Sequence, residues 1–212
     1  MAGYIWLPVY TDFLPDQTKA GALGLKSMAV QWNSGRLGKA KSTYRIINTP
    51  FESGIRKGIY RGIFGGCLAS LNVKDKLYIL LHGISSPGQS IATHVGATRF
   101  SGSSKYYTPA ELAILMKKEG LDINFLNISV YACDSGVGGW DSFACKLMLE
   151  LRAIGYSRIC VTGYKGEVNT SYALRYEDIK LGTITKEPHK GLVVSGRGCL
   201  RASKNKIKFP LG

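Results

Sequence analysis

Three observations predict an α/β fold with a central, mostly parallel sheet and helices on both faces. From residue 76 onward, strand-like apolar runs alternate with helix-like amphipathic runs, an order that favours parallel strands joined by crossover helices. The run KLYILLHG (76–83) is apolar almost throughout, as a strand covered on both faces is, and NFLNISVYAC (124–133) reads as the next strand. The 212 residues, 45% of them hydrophobic, suffice for one domain with its own core.

The elements follow in order. Residues 1–40 are rich in Gly, Pro and turn formers and read as loops with a short helix and one strand. STYRIIN (42–48) reads as a strand. In 51–71 the residues Ile55, Ile59, Ile63, Cys67 and Leu71 fall four apart, which predicts a helix weakened by its glycines. The run 76–83 is a strand ending in His82-Gly83, and ISSPGQSIATHVGA (84–97) reads as a long flexible loop able to cover a site. TPAELAILMKKEG (108–120) has every helix signal: Thr108 as cap, Pro109 at the first position, Glu111 to close a capping box and Gly120 to stop it. A strand over 124–133, an amphipathic helix over 140–155 and a strand over 158–164 come next. TSYALRYEDI (170–179) and GLVVSG (191–196) read as short strands.

The formal net charge of +14 points to an anionic partner: nucleic acid, a phosphorylated small molecule, an acidic protein or a membrane surface. The basic residues cluster in GRLGKAKSTYR (35–45), IRKGIYRG (55–62) and RASKNKIKF (201–209). A nucleic-acid module is the weaker reading, because no zinc ribbon, RNP-like motif or recognition helix accompanies the charge. The five cysteines have no CxxC pair and no metal-ligand spacing with the three histidines, so no metal is expected and reduced thiols are. Cys67, Cys145 and Cys160 fall in apolar periodic segments and read as core. No apolar run is long enough to cross a bilayer, and MAGYIWLPVY lacks the charged and apolar regions of a secretory signal.

The segment NISVYACDSGVGG (127–139) ends a strand on Cys133 and breaks at once into small and polar residues. In open α/β sheets the functional groups gather at the carboxyl ends of strands, and both His82 and Cys133 stand there. A thiolate attacks a carbonyl, an imidazole accepts the thiol proton and returns it to the leaving group, and backbone N–H groups hold the oxyanion. A glycine at position 83 leaves such an N–H open to a substrate. His94 is a rival base, whereas His189 lies in a polar turn. Asp134 and Ser135 follow the nucleophile and are candidates to line the first specificity pocket; the alternative for Asp134 is a cap on the following turn. The same thiol and imidazole also suit a deamidase or acyltransferase.

On these residues the chain resembles the caspase-like (clan CD) cysteine peptidases: caspases, legumains, gingipains and clostripain. In caspases the histidine lies about 50 residues before the cysteine, as His82 does before Cys133. ACDSG is similar to the legumain nucleophile segment. The likeness is closer to the autoprocessing cysteine protease domain of RTX toxins and large clostridial toxins, whose segments run in the order found here as KDKLYILLHG, TRFSG, YTPAELA, NISVYAC and SFACKLMLELRAIG. It covers roughly residues 74–175.

The resemblance implies a caspase-like three-layer sandwich as a single domain over 1–212, with an N-terminal part at 1–70, a catalytic core at 74–175, and a β-flap and basic tail at 176–212. It implies His82 as the imidazole, Cys133 as the nucleophile, and an oxyanion hole from the N–H groups of Gly83 and Cys133. Substrate would pair in extended form along the strand edge near Thr162, Gly163 and Tyr164. No cofactor is required for the chemistry, but inositol hexakisphosphate or another polyphosphate is the implied activator. Arg175 matches its pocket, with Tyr176 where the family has a lysine, and the cluster Arg56, Lys57 and Arg61 is grouped with it. The expectation is a cysteine endopeptidase of toxin or effector type. It would act on a protein substrate, in the cytoplasm or in a host cytosol reached by a non-Sec route.

Overall fold

The computed structural model describes residues 2–8, 25–38, 40–48, 65–85, 92–98, 104–169, 192–195, 198–201 and 205–209. Its main sheet has six strands: β1 (Gly3–Leu7), β2 (Arg45–Asn48), β3 (Lys76–Leu80), β7 (Asn127–Tyr131), β8 (Cys160–Tyr164) and β12 (Lys206–Phe209). Their order across the sheet is β12-β8-β7-β3-β1-β2, and every neighbouring pair is parallel except β12 with β8. Crossover helices explain the two parallel steps at the centre of the sheet: α2 (Pro109–Lys118) lies between β3 and β7 in the chain, and α3 (Phe143–Ala153) between β7 and β8. The expected α/β class with a mostly parallel sheet is therefore the observed one.

The local chemistry of α2 is the one its sequence signals. Thr108 Oγ1 accepts from Glu111 N at 3.2 Å, and Glu111 Oε2 accepts from Thr108 N at 2.8 Å, so both partners of the capping box are in place. Ser142 caps α3 from one side only, its Oγ accepting from Cys145 N at 3.2 Å. A 3-10 turn at Gly139–Asp141 precedes that cap.

The two faces of the sheet are covered by different helices. Side chains alternate along each strand, and Tyr78, Ser129 and Thr162 share one face because they are register partners across β3, β7 and β8. Helix α1 (Leu25–Leu37) lies over that face, with the Trp32 ring centred 5.0 Å from Tyr78 and 4.4 Å from Tyr131. On the other face Gly163 gives the room that brings the Ala144 methyl of α3 against β8. There Phe143, Leu147 and Leu151 of α3 and Leu112 and Met116 of α2 are buried with Ile79, Val130 and Val161 of the sheet. No helix of the described residues is long and apolar enough to cross a membrane.

Several expectations need correction. The run 76–83 is not one strand: it breaks at Leu81, and His82–Ser85 becomes β4, which pairs antiparallel with β5 (Ala92–Thr98); β5 pairs in turn with β6 (Ser104–Tyr107). The segment 84–97 is thus in large part a hairpin, since residues 84, 85 and 92–97 are strand. Residues 65–71 are turns rather than the end of a helix, because Gly66 takes φ +105° and packs on the backbone of Glu119, where a Cβ would collide; residues 51–64 lie outside the described ones. The short helix and the one strand expected within residues 1–40 are present: α1 has 13 residues, and β1 stands inside the sheet between β2 and β3.

The end of the chain is not only a flap and a basic tail. A separate antiparallel sheet forms from β9 (Glu167–Asn169), β10 (Leu192–Ser195) and β11 (Gly198–Arg201). Lys206–Phe209 then returns as an edge strand of the main sheet, where Phe209 is buried and Lys206 and Lys208 are exposed. The period of two in Lys-Ile-Lys-Phe is the signal that marks it as a strand.

Candidate active site at the strand ends

β3 and β7 run in register from Lys76 opposite Asn127 to Leu80 opposite Tyr131. Leu81 N still donates to Tyr131 O at 3.4 Å. His82 and Cys133 stand two residues past that last register pair, so both lie just past the carboxyl ends of neighbouring parallel strands. Gly83 presses directly on Cys133: a Cβ at 83 would collide with the Cys133 carbonyl oxygen and lie 3.0 Å from its nitrogen. Only glycine allows that approach, and it brings the backbones of the two expected oxyanion residues together.

His82 is exposed. Its partial desolvation nevertheless pushes the imidazole below the ordinary histidine value, which favours the neutral ring that can accept a proton. His94 is paired opposite Ile84 and is a diagonal neighbour of His82 on the same face of the β4–β5 hairpin.

Cys133 is half-buried, and its Sγ accepts a hydrogen bond from Val168 N at 3.4 Å. The other thiols differ. Cys67 and Cys145 are buried, and desolvation pushes both up, Cys67 with the added charge of Glu119 nearby. Cys160 is half-buried at the start of β8.

The residues after Cys133 are stitched to the segment that leads from β8 into β9. Ser135 Oγ donates to Val130 O at 2.8 Å and accepts from Tyr164 N at 3.1 Å. Gly136 N donates to Tyr164 O at 2.8 Å. Asp134 N donates to Gly166 O at 3.1 Å, and Asp134 Oδ1 accepts from Gly166 N at 2.9 Å. Asp134 itself sits at φ +52°, a left-handed conformation that Asp and Asn tolerate better than most residues.

This bears on the expected substrate residues. Ser135 is 0% exposed with its hydroxyl committed on both sides, so it supports the turn rather than lining an open pocket. The half-buried Asp134 neither caps the following turn through its side chain nor has both oxygens turned to solvent; one holds Gly166. The strand edge at Thr162, Gly163 and Tyr164 is not open, because Lys208, Ile207 and Lys206 of β12 pair with those three residues. Extended pairing of a substrate at that edge is corrected accordingly: its backbone groups face a strand of the same chain.

Of the polyanion residues, Arg56, Lys57, Arg61 and Arg175 lie outside the described residues. In the cluster 35–45, Arg36 is used locally: its Nε donates to Ser42 O at 2.7 Å and its guanidinium lies 3.7 Å from the Tyr44 ring centre. Positive charge gathers elsewhere, in a cavity of about 190 Å³ on the α1 face of the sheet. Lys76, Lys206 and Lys208 surround Asn127, Ser129 and Thr162 there, and no carboxylate is among the described lining residues. Trp32 also lines it, and its buried Nε1 has no hydrogen-bond partner among the described residues. Lys76 and Asn127 open the two strands whose far ends carry His82 and Cys133. Sequence reading missed this site because the lysines are brought together by two strands far apart in the chain, β3 and β12.

No protein-family model matches the chain, and no curated protein matches it.

Proposed function

We propose that the protein is a cysteine hydrolase acting on amide bonds, with an endopeptidase as the leading form, in which Cys133 is the nucleophile and His82 the base. The observation that carries the reading is the packing of Gly83 on the Cys133 backbone at the ends of adjacent parallel strands. In the proposed reaction the neutral His82 ring takes the Cys133 proton as sulfur attacks the carbonyl carbon. The N–H groups of Gly83 and Cys133 hold the oxyanion, and the imidazolium then protonates the leaving amine. Water hydrolyses the thioester with His82 acting as base again. A polyanion such as inositol hexakisphosphate is the proposed activator, and the lysine cavity is the cationic site for it among the described residues.

The test is labelling with peptide acyloxymethyl ketones followed by peptide mapping. The expected result is modification of Cys133 and of no other cysteine, together with loss of protein-substrate cleavage in Cys133→Ala. Labelling of Cys133 with release of ammonia but no chain cleavage selects deamidation. Unchanged cleavage by Cys133→Ala overturns the proposal.

A further inference from the structure

The nucleophile turn and the segment 164–168 are joined by a row of hydrogen bonds, two of them through side chains, Ser135 and Asp134, of which Asp134 directly follows Cys133 in the chain. Gly136 and Ser135 take the Tyr164 end, Asp134 takes Gly166 through both backbone and side chain, and Val168 N reaches Cys133 Sγ. The segment has no regular secondary structure between β8 and β9 at Lys165–Gly166, and Gly166 takes φ +91°. What fixes Val168 against the sulfur is therefore the anchoring of Gly166 two residues earlier, together with the pairing of β9 to β10 on the far side.

We propose that Asp134 is a positioning residue for the nucleophile: by holding Gly166 it delivers the Val168 N–H to the Cys133 sulfur, where that donor stabilises the thiolate. The inference rests on the reading of Cys133 as nucleophile and deepens it. It replaces a role in substrate specificity with one inside the site. An N–H donor to a sulfur anion is a charge-assisted bond, stronger than the same bond to a neutral thiol, so the donor favours ionisation. A carboxylate next to a thiolate does the opposite by repulsion. The net effect of Asp134 is thus a difference of two terms, and an experiment must separate them.

Asp134→Asn and Asp134→Gly do so. Both remove the charge and both accept φ +52°, but only Asn keeps an oxygen for Gly166 N. The other titratable groups on the elements about Cys133 are His82 and His94 of the β4–β5 hairpin, Tyr131 of β7, Tyr164 of β8, Lys165 of the connecting segment and Glu167 of β9, and they are the same in both variants. The measurement is the rate of Cys133 alkylation by iodoacetamide against pH, with amide hydrogen exchange at Gly166 and Val168.

The expected result is an alkylation midpoint about one pH unit higher in Asp134→Gly than in Asp134→Asn, hence roughly tenfold less thiolate at neutral pH. Asp134→Asn should lie at or below the wild type, and exchange at Gly166 and Val168 should speed up in the Gly variant alone. Equal midpoints for the two variants overturn the proposal, whether or not exchange changes. If Asp134→Gly does not fold, the exchange of Asp134→Asn decides: protection at Gly166 and Val168 equal to wild type supports the oxygen as the anchor, and its loss overturns it. Alkylation needs no substrate, so a wild type that fails to label with peptide ketones would sink the hydrolase reading while leaving this comparison intact.

Discussion

His82 and Cys133 owe their relation to one missing methyl group. With any side chain at 83, the bend from β3 into β4 could not rest on the Cys133 backbone as it does. The environment of His82 makes a prediction about pH. Its pKa is lowered in the folded state by desolvation, so between the folded value and the ordinary value of about 6.5 the unfolded chain binds more protons. Stability from this residue is therefore fully present above pH 6.5 and is lost as pH falls through that window. We predict that the urea midpoint of the wild type declines over this range and that His82→Asn removes part of the decline. An unchanged acid limb in the variant would show that another group carries it.

At the scale of elements, the helix signals were the most readable part of the sequence, because a cap and its helix are local. Thr108, Pro109, Glu111 and Gly120 all act where their spacing puts them. We predict that Thr108→Ala destabilises the protein by about 1 kcal/mol, lowering Tm by about 2–4 °C for a chain of this size, and that Thr108→Ser restores it. A loss equal in Thr108→Ser would mean that the threonine methyl, not the oxygen, matters. Strands were less readable. KLYILLHG gives no sign that it divides between two sheets at Leu81, since the division depends on where Gly83 and the β5 strand find room. The antiparallel β12 was hidden for a different reason: its lysines read as a charge cluster, although Ile207 and Phe209 between them mark an edge strand.

At the scale of the whole molecule, the charge of +14 must be placed in space before it says anything about a ligand. The fold brings Lys76, Lys206 and Lys208 to one cavity from positions far apart in the chain. We predict that inositol hexakisphosphate or tripolyphosphate stabilises the protein. At a hundredfold excess over Kd the gain is about 2.7 kcal/mol, and the corresponding Tm rise is about 5–10 °C. The combined variant Lys206→Glu, Lys208→Glu should lose most of that rise, and added salt should weaken it, since exposed charges are screened over about 8 Å at physiological ionic strength. A full thermal shift in the double variant would move the anion site away from this cavity. If the anion is an activator, it should also speed alkylation of Cys133.

By itself the sequence determined the class of fold and the two crossover helices, because each rests on short-range patterns: apolar runs and caps. It also determined that His82 and Cys133 share an edge, once α2 made their strands parallel. Only the tertiary structure decided how the surroundings of that edge are used. Ser135 and Asp134 look like pocket residues in one dimension, yet they bond to Tyr164 and Gly166 about thirty residues later. The edge at Thr162–Tyr164 looks open until β12 returns to fill it. The physical reason is common to all of these: a hydrogen-bonding group in a strand or turn is satisfied by whichever backbone the fold lays beside it, and that neighbour is set by long-range packing.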